Sequence, residues 1–128
     1  MNNNSLYVGE WIFNTLSQIE GITTISPVCV TQGTQCPYAV YYRQNIATPS
    51  TKDGASGDTL TYNLNIYTST YKDGLHLITE ARKKLSRPAK YNNMVISDFA
   101  INGGDEDFTG DIYIQRITFT IKVKDGNN

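Results

Sequence analysis

The segment Asp58–Ser69, "DTLTYNLNIYTS", decides how this chain folds. Its apolar residues Leu60, Tyr62, Leu64 and Ile66 alternate with Thr61, Asn63 and Asn65. Successive side chains of an extended strand point to opposite faces, so the alternation predicts a strand with one buried and one polar face. A sheet built on such a strand needs a cover for its apolar side. Two amphipathic segments can supply it.

Upstream, Leu6, Val8, Trp11, Ile12, Leu16 and Ile19 recur at helical spacing and predict a helix over Ser5–Glu20. Ser5 is placed to cap its first turn and Gly21 to close its end. Downstream, "TYKD" offers a capping box, with Thr70 as the cap and Asp73 reaching back. Leu75, Ile78, Ala81 and Leu85 form the expected buried stripe of this second helix, which Pro88 stops.

The other strands read less cleanly. Residues from Ile25 to Val30 turn β-like before a polar turn, "TQGTQ". Then "QCPYAVYYRQN", Gln35–Asn45, opens at Pro37, which suits a strand start. Tyr38, Val40 and Tyr42 share one face of it; Ala39, Tyr41 and Arg43 share the other. Both faces carry bulk, which predicts burial on both sides or one face set against another subunit. "IATPSTKDGASG", Ile46–Gly57, reads as a long loop. "NMVISDFAING" reads as strand four, "GGDEDFTGD" as an acidic turn and "IYIQRITFTIKVK" as strand five. Within that last strand Ile112 and Ile114 share one parity while Ile117, Phe119, Ile121 and Val123 share the other. Either a bulge near Gln115 and Arg116 resets the register, or its two ends bury opposite faces.

The expected fold is therefore α+β: a largely antiparallel five-stranded sheet with two helices packed on one face, in the order α-β-β-β-α-β-β. At 128 residues the chain fits one domain, residues 1–128, with disordered ends expected at 1–4 and 125–128. A formal charge of −1 argues against adhesion to nucleic acid or membrane through a global field. The start lacks the basic flank of a signal peptide and no stretch approaches a membrane span, so the expected address at synthesis is cytoplasmic.

Reactive chemistry finds little support. His76 is the single histidine, and Cys29 and Cys36 flank a turn without the C-x-x-C spacing of a metal or redox site. The bland reading, two small reduced residues in a hairpin, is preferred, with no cofactor. No G-x-S-x-G elbow or P-loop occurs, and no catalytic residue is assigned. Asp105, Asp107, Thr109 and Asp111, with Gly110, copy the first seven positions of an EF-hand loop. Arg116 stands where that loop needs its bidentate glutamate, so calcium is a weak candidate against a solvated β-turn. Arg82, Lys83, Lys84, Arg87 and Lys90 gather at the end of the second helix. Cations there complement the helix dipole, and they could also meet an acidic partner surface.

Taken together, the order of pieces resembles the tail-completion (tail-terminator) proteins of long-tailed bacteriophages and prophages. The resemblance runs from Ser5 to Lys124 through the opening helix, the Pro37–Tyr42 strand, "YNLNIYTSTYKDGLHLI" and "DEDFTGDIYIQRITFTIKV". It implies a non-enzymatic virion protein that forms a ring, commonly six-fold, at the head-proximal end of the tail tube. That ring would stop tube growth, meet the head connector, and let DNA pass without sequence-specific binding. Its partners would be further copies of itself, the tail-tube protein and the connector; no membrane is involved. The candidate interface residues are Tyr38, Tyr41, Tyr42, Lys52, Asp53, Arg82, Lys83, Lys84, Arg87, Asp105, Glu106 and Asp107. Among them, the basic helix end and the acidic turn of a neighbour are matched by opposite charge. A different neck protein, such as a head-completion or stopper subunit, shares the same traits. A small ligand-binding or hydrolytic α+β domain is the alternative from outside the virion.

Overall fold

A computed structural model describes residues 5–48 and 57–126. A short 3₁₀ turn, Ser5–Tyr7, leads into helix α1, Val8–Leu16. Strands β1 (Thr24–Pro27), β2 (Tyr38–Ala47) and β3 (Asp58–Thr68) follow. Helix α2 (Tyr71–Leu85) precedes β4 (Ala89–Tyr91), β5 (Met94–Thr109) and β6 (Ile112–Asp125). The strands form one sheet in the order β1-β2-β3-β6-β5-β4.

This corrects the expected five-stranded, largely antiparallel sheet. The sheet has six strands, is mixed, and curls into a half-barrel. β1 pairs β2 in parallel, Thr24 opposite Tyr38, because residues 28–37 carry the chain back before β2 begins. Val28 turns the backbone out of the strand with φ 72°, and its amide donates to the Tyr41 carbonyl at 2.7 Å. Cys29 and Cys36 therefore lie in a crossover rather than a hairpin, as free thiols, with burial pushing the Cys36 thiol up. The added strand, β4, is three residues long, too short to show a period, and it pairs with Met94–Ile96 directly after Pro88.

The central strand is as the alternation predicts. Leu60, Tyr62, Leu64 and Ile66 are buried against both helices, joined by Phe119 and Ile121 of β6 and Met94 and Ile96 of β5. Both helices cover this one face. α1 contributes Val8, Trp11, Ile12 and Leu16; α2 contributes Leu77, Ile78, Ala81 and Leu85. Leu77 takes the place expected of Leu75, which is exposed, because the helix turns its 77/78/81/85 face inward. Thr70 caps α2, its hydroxyl accepting from the Asp73 amide at 3.2 Å. Ser5 does not cap α1. It is buried, and its hydroxyl donates to the Asp58 carboxylate at the start of β3.

β6 resolves the parity question. It pairs with β3 from Tyr113 to Val123 without a register shift, so its two ends bury opposite faces. Ile117, Phe119, Ile121 and Val123 point to the helices, while Ile114 is buried on the other side of the sheet, paired with Tyr67. β2 is likewise two-sided at its start, with Ala39, Val40 and Tyr41 all buried, exposed from Tyr42 to Asn45, and half-buried again at Ile46. Ile46 and Ala47 extend β2 rather than open the loop, and Asp125 ends β6 opposite Met94.

Candidate functional site: two apolar patches and an acidic arm

The segment expected as an acidic turn is strand. β5 runs through Thr109, and a two-residue turn at Gly110 (φ 56°) and Asp111 (φ 66°) joins it to β6. Positive φ at both central residues matches the right-handed twist of a hairpin, and Gly-Asp is a pair that tolerates it. Residues 102–111 are exposed throughout, so the end of this hairpin forms an arm. Asp105 and Asp107 alternate onto one face of β5, where Arg116 donates to them at 2.7 Å and 3.4 Å. Those carboxylates hold the guanidinium pKa above its usual value. Glu106 points the other way and accepts from the Tyr71 hydroxyl (2.9 Å) and the Gln115 side-chain amide (2.9 Å), tying the arm to the start of α2. The EF-hand-like spacing of Asp105, Asp107, Thr109 and Asp111 is thus laid out along a strand and a tight turn, not wrapped as a loop. Among the described residues no group of three or more His, Cys, Asp or Glu is placed to hold a metal ion.

Among the described residues, the large exposed apolar side chains fall into two groups. Tyr71 and Leu75 lie one turn apart on α2, and Tyr71 is linked through Tyr113 to Phe108 at the arm's end. Phe108 is 53% exposed, with its ring 4.6 Å from Tyr113, and Tyr113 meets Tyr71 edge-on at 5.8 Å. The second group, Leu6, Tyr7, Phe13, Val28 and Tyr42, lines a groove of about 1040 Å³ beside the start of α1 and the outer edge of β2. Tyr41 and Tyr62 contribute to its lining. The Tyr41 hydroxyl donates to the Gly9 carbonyl at 2.9 Å, and burial, with Tyr62 and Glu10 nearby, pushes its pKa up to about 12. Exposed apolar side chains gathered around one groove make it a candidate binding surface.

The interface candidates scatter over the molecule. Tyr42 sits in the groove; Tyr41 is turned into the core; Tyr38 stacks on Tyr67 at 4.5 Å on the face away from the helices. Asp105, Glu106 and Asp107 share the arm. Arg82, Lys83 and Arg87 are exposed at the end of α2, with Lys84 half-buried and Lys83 bonded to Glu80 at 3.2 Å. Lys52 and Asp53 lie outside the described residues. Sequence reasoning missed Phe108, Val28, Tyr7 and Phe13. Phe108 carried one signal: an aromatic residue enclosed by acids at a position with no core periodicity.

No protein-family model and no curated protein matches the chain in sequence. In three dimensions the chain is similar to one described as "Virion of native gene transfer agent (GTA) particle", with a TM-score of 0.71 and 11% identity. The match covers 88% of this chain and 91% of that one, so the two share a fold over nearly their whole lengths.

Proposed function

We propose that this chain is a structural subunit of a phage-like virion. More specifically, we read it as a tail terminator that forms a ring, six-fold as the resemblance implies, at the head-proximal end of the tail tube. The observation that carries the reading is the near full-length likeness to a chain of a gene transfer agent virion. The order of motifs that resembles tail-completion proteins supports the finer role. The surface fits a subunit of a closed ring, because head-to-tail contacts need two different patches on each copy. In this reading the protein acts by shape and contact rather than by catalysis. Its partners are its own copies, the tail-tube protein and the head connector, and it resides in the neck of the virion.

The opposite charges of the α2 end and the arm make them a candidate contact between copies or with the connector. Reversing Arg82, Lys83 and Lys84 to glutamate weakens assembly if they serve there; unchanged assembly removes them from the interface.

The role itself is tested by adding the protein to polymerising tail-tube subunits and measuring tube lengths by electron microscopy. Short tubes with a cap at one end are expected. Unaltered tube lengths, with binding to connector proteins instead, would move the protein to a head-completion or stopper position. The groove also suits a small-molecule binding domain, and a melting shift with a metabolite and none with tube or connector would favour that role.

A further inference from the structure

Most of β5 lies at an open edge of the sheet. β4 covers it only at Met94, Val95 and Ile96, and among the described residues no strand lies beside residues 97–109 on that side. Such an edge presents unpaired amides and carbonyls to any further strand. Bulges interrupt it between Ser97 and Ala100 and between Ile101 and Gly103; residues 103–109 keep an unbroken register with β6. Helix α2 runs alongside. At its start the Tyr71 hydroxyl donates to Glu106 of β5. Near its end Thr79, Arg82, Lys83 and Ser86 border a hollow of about 480 Å³ with Phe99, Ala100 and Ile101. Leu75, one turn from both Tyr71 and Thr79, shares this face of the helix and is exposed. The face is therefore apolar toward the arm and cationic toward the end of α2. Glu80 engages Lys83 at 3.2 Å, and Asp98 of β5 approaches Lys122 at 3.9 Å. Arg82 has no ion-pair partner among the described residues, so the hollow keeps a net positive charge.

We infer that β5 accepts an extended, acidic segment of a partner protein as a seventh strand, one of its carboxylates meeting Arg82. Two separate features select this occupant. The open edge calls for an extended backbone, whose donors and acceptors match its spacing. The unpaired guanidinium calls for a carboxylate, which its planar fork can bind through two hydrogen bonds. Alternate side chains of the added strand then fall toward Phe99 and Ile101. Another copy's arm fits less well, because Arg116 already holds its Asp105 and Asp107. The inference is independent of the ring reading.

A yeast-displayed library of random twelve-residue peptides, sorted against the full-length chain, tests it. The expected binders combine strand-forming residues with an aspartate or glutamate. Adding the tightest of them should slow amide exchange along residues 99–109 and leave the outer edge of β2 unchanged. Arg82→Glu with Lys83→Glu changes two exposed residues outside the core. That variant should weaken the same peptide about tenfold, and sorting against it should enrich lysine and arginine instead. A library that yields no binder, binders without acids, or exchange slowed elsewhere would overturn the inference. A short DNA duplex that binds these cations where no peptide does would overturn it in favour of phosphate recognition. Slowed exchange on concentrating the protein alone, with no effect of peptide, would give the edge to a second copy and overturn it too.

Discussion

The two faces of the sheet are made from the same strands and held by different forces. On the helix side, Leu60, Leu64, Ile66, Phe119 and Ile121 are removed from water almost completely. On the other side, the residues between them form a cross-strand polar lattice. The Thr118 hydroxyl donates to Asn63 at 2.7 Å, Asn63 donates to Gln44 at 2.7 Å, and Arg116 reaches Asp105. Burial of a large aliphatic or aromatic side chain is worth about 1.5–3 kcal/mol, whereas an exposed cross-strand pair is worth about 0.2–1 kcal/mol. The helix face therefore sets the fold. The polar face can change its chemistry without threatening it.

The largest test of that contrast is Phe119→Ala. The ring is fully buried, 6.1 Å from Tyr62 and 5.2 Å from Phe99. Its loss should cost about 3–5 kcal/mol in urea unfolding; a cost below about 1 kcal/mol would mean the core does not rest on this face. Ser5→Ala should come next. It leaves the buried Asp58 carboxylate without its hydroxyl donor, for about 1–3 kcal/mol by the same measurement, and the effect should vanish in a variant that also carries Asp58→Asn. An alkaline effect sharpens the contrast further. The Tyr41 hydroxyl titrates near 10 when unfolded and about 12 when folded. The stability it contributes is complete below pH 10 and declines as pH rises toward 12. Tyr41→Phe should flatten that part of the stability–pH curve, and an unchanged slope would assign it to other groups. Smallest should be Asn63→Ala, which removes the bonds to Gln44 and Thr118 for about 0.2–1 kcal/mol in thermal melts.

The helix-covered face was legible in the sequence because its signal is local. Period two in β3 and helical periodicity in α1 and α2 each survive within a dozen residues. The sheet's edges were not. β4 is shorter than any period, and the parallel register of β1 depends on a crossover whose direction is set by Val28 and its bond to Tyr41, far along the chain. The arm was misjudged for a related reason. Asp, Glu and Gly dominate residues 103–107, and their low strand propensity suggests a turn. Pairing with β6 across Asp105–Thr109 overrides that preference, leaving only Gly110 and Asp111 to turn. As for the candidate surfaces, charge was visible in the sequence but concavity was not. Leu6 belonged to the predicted stripe and Phe13 fell outside it, yet both line one groove.

The proposed role as the repeating unit of a ring is open to a direct test, negative-stain electron microscopy of the concentrated protein, alone and with tail tubes. Closed rings with a central opening, or single caps at tube ends, are expected. A compact two-fold dimer that ignores tubes would contradict it.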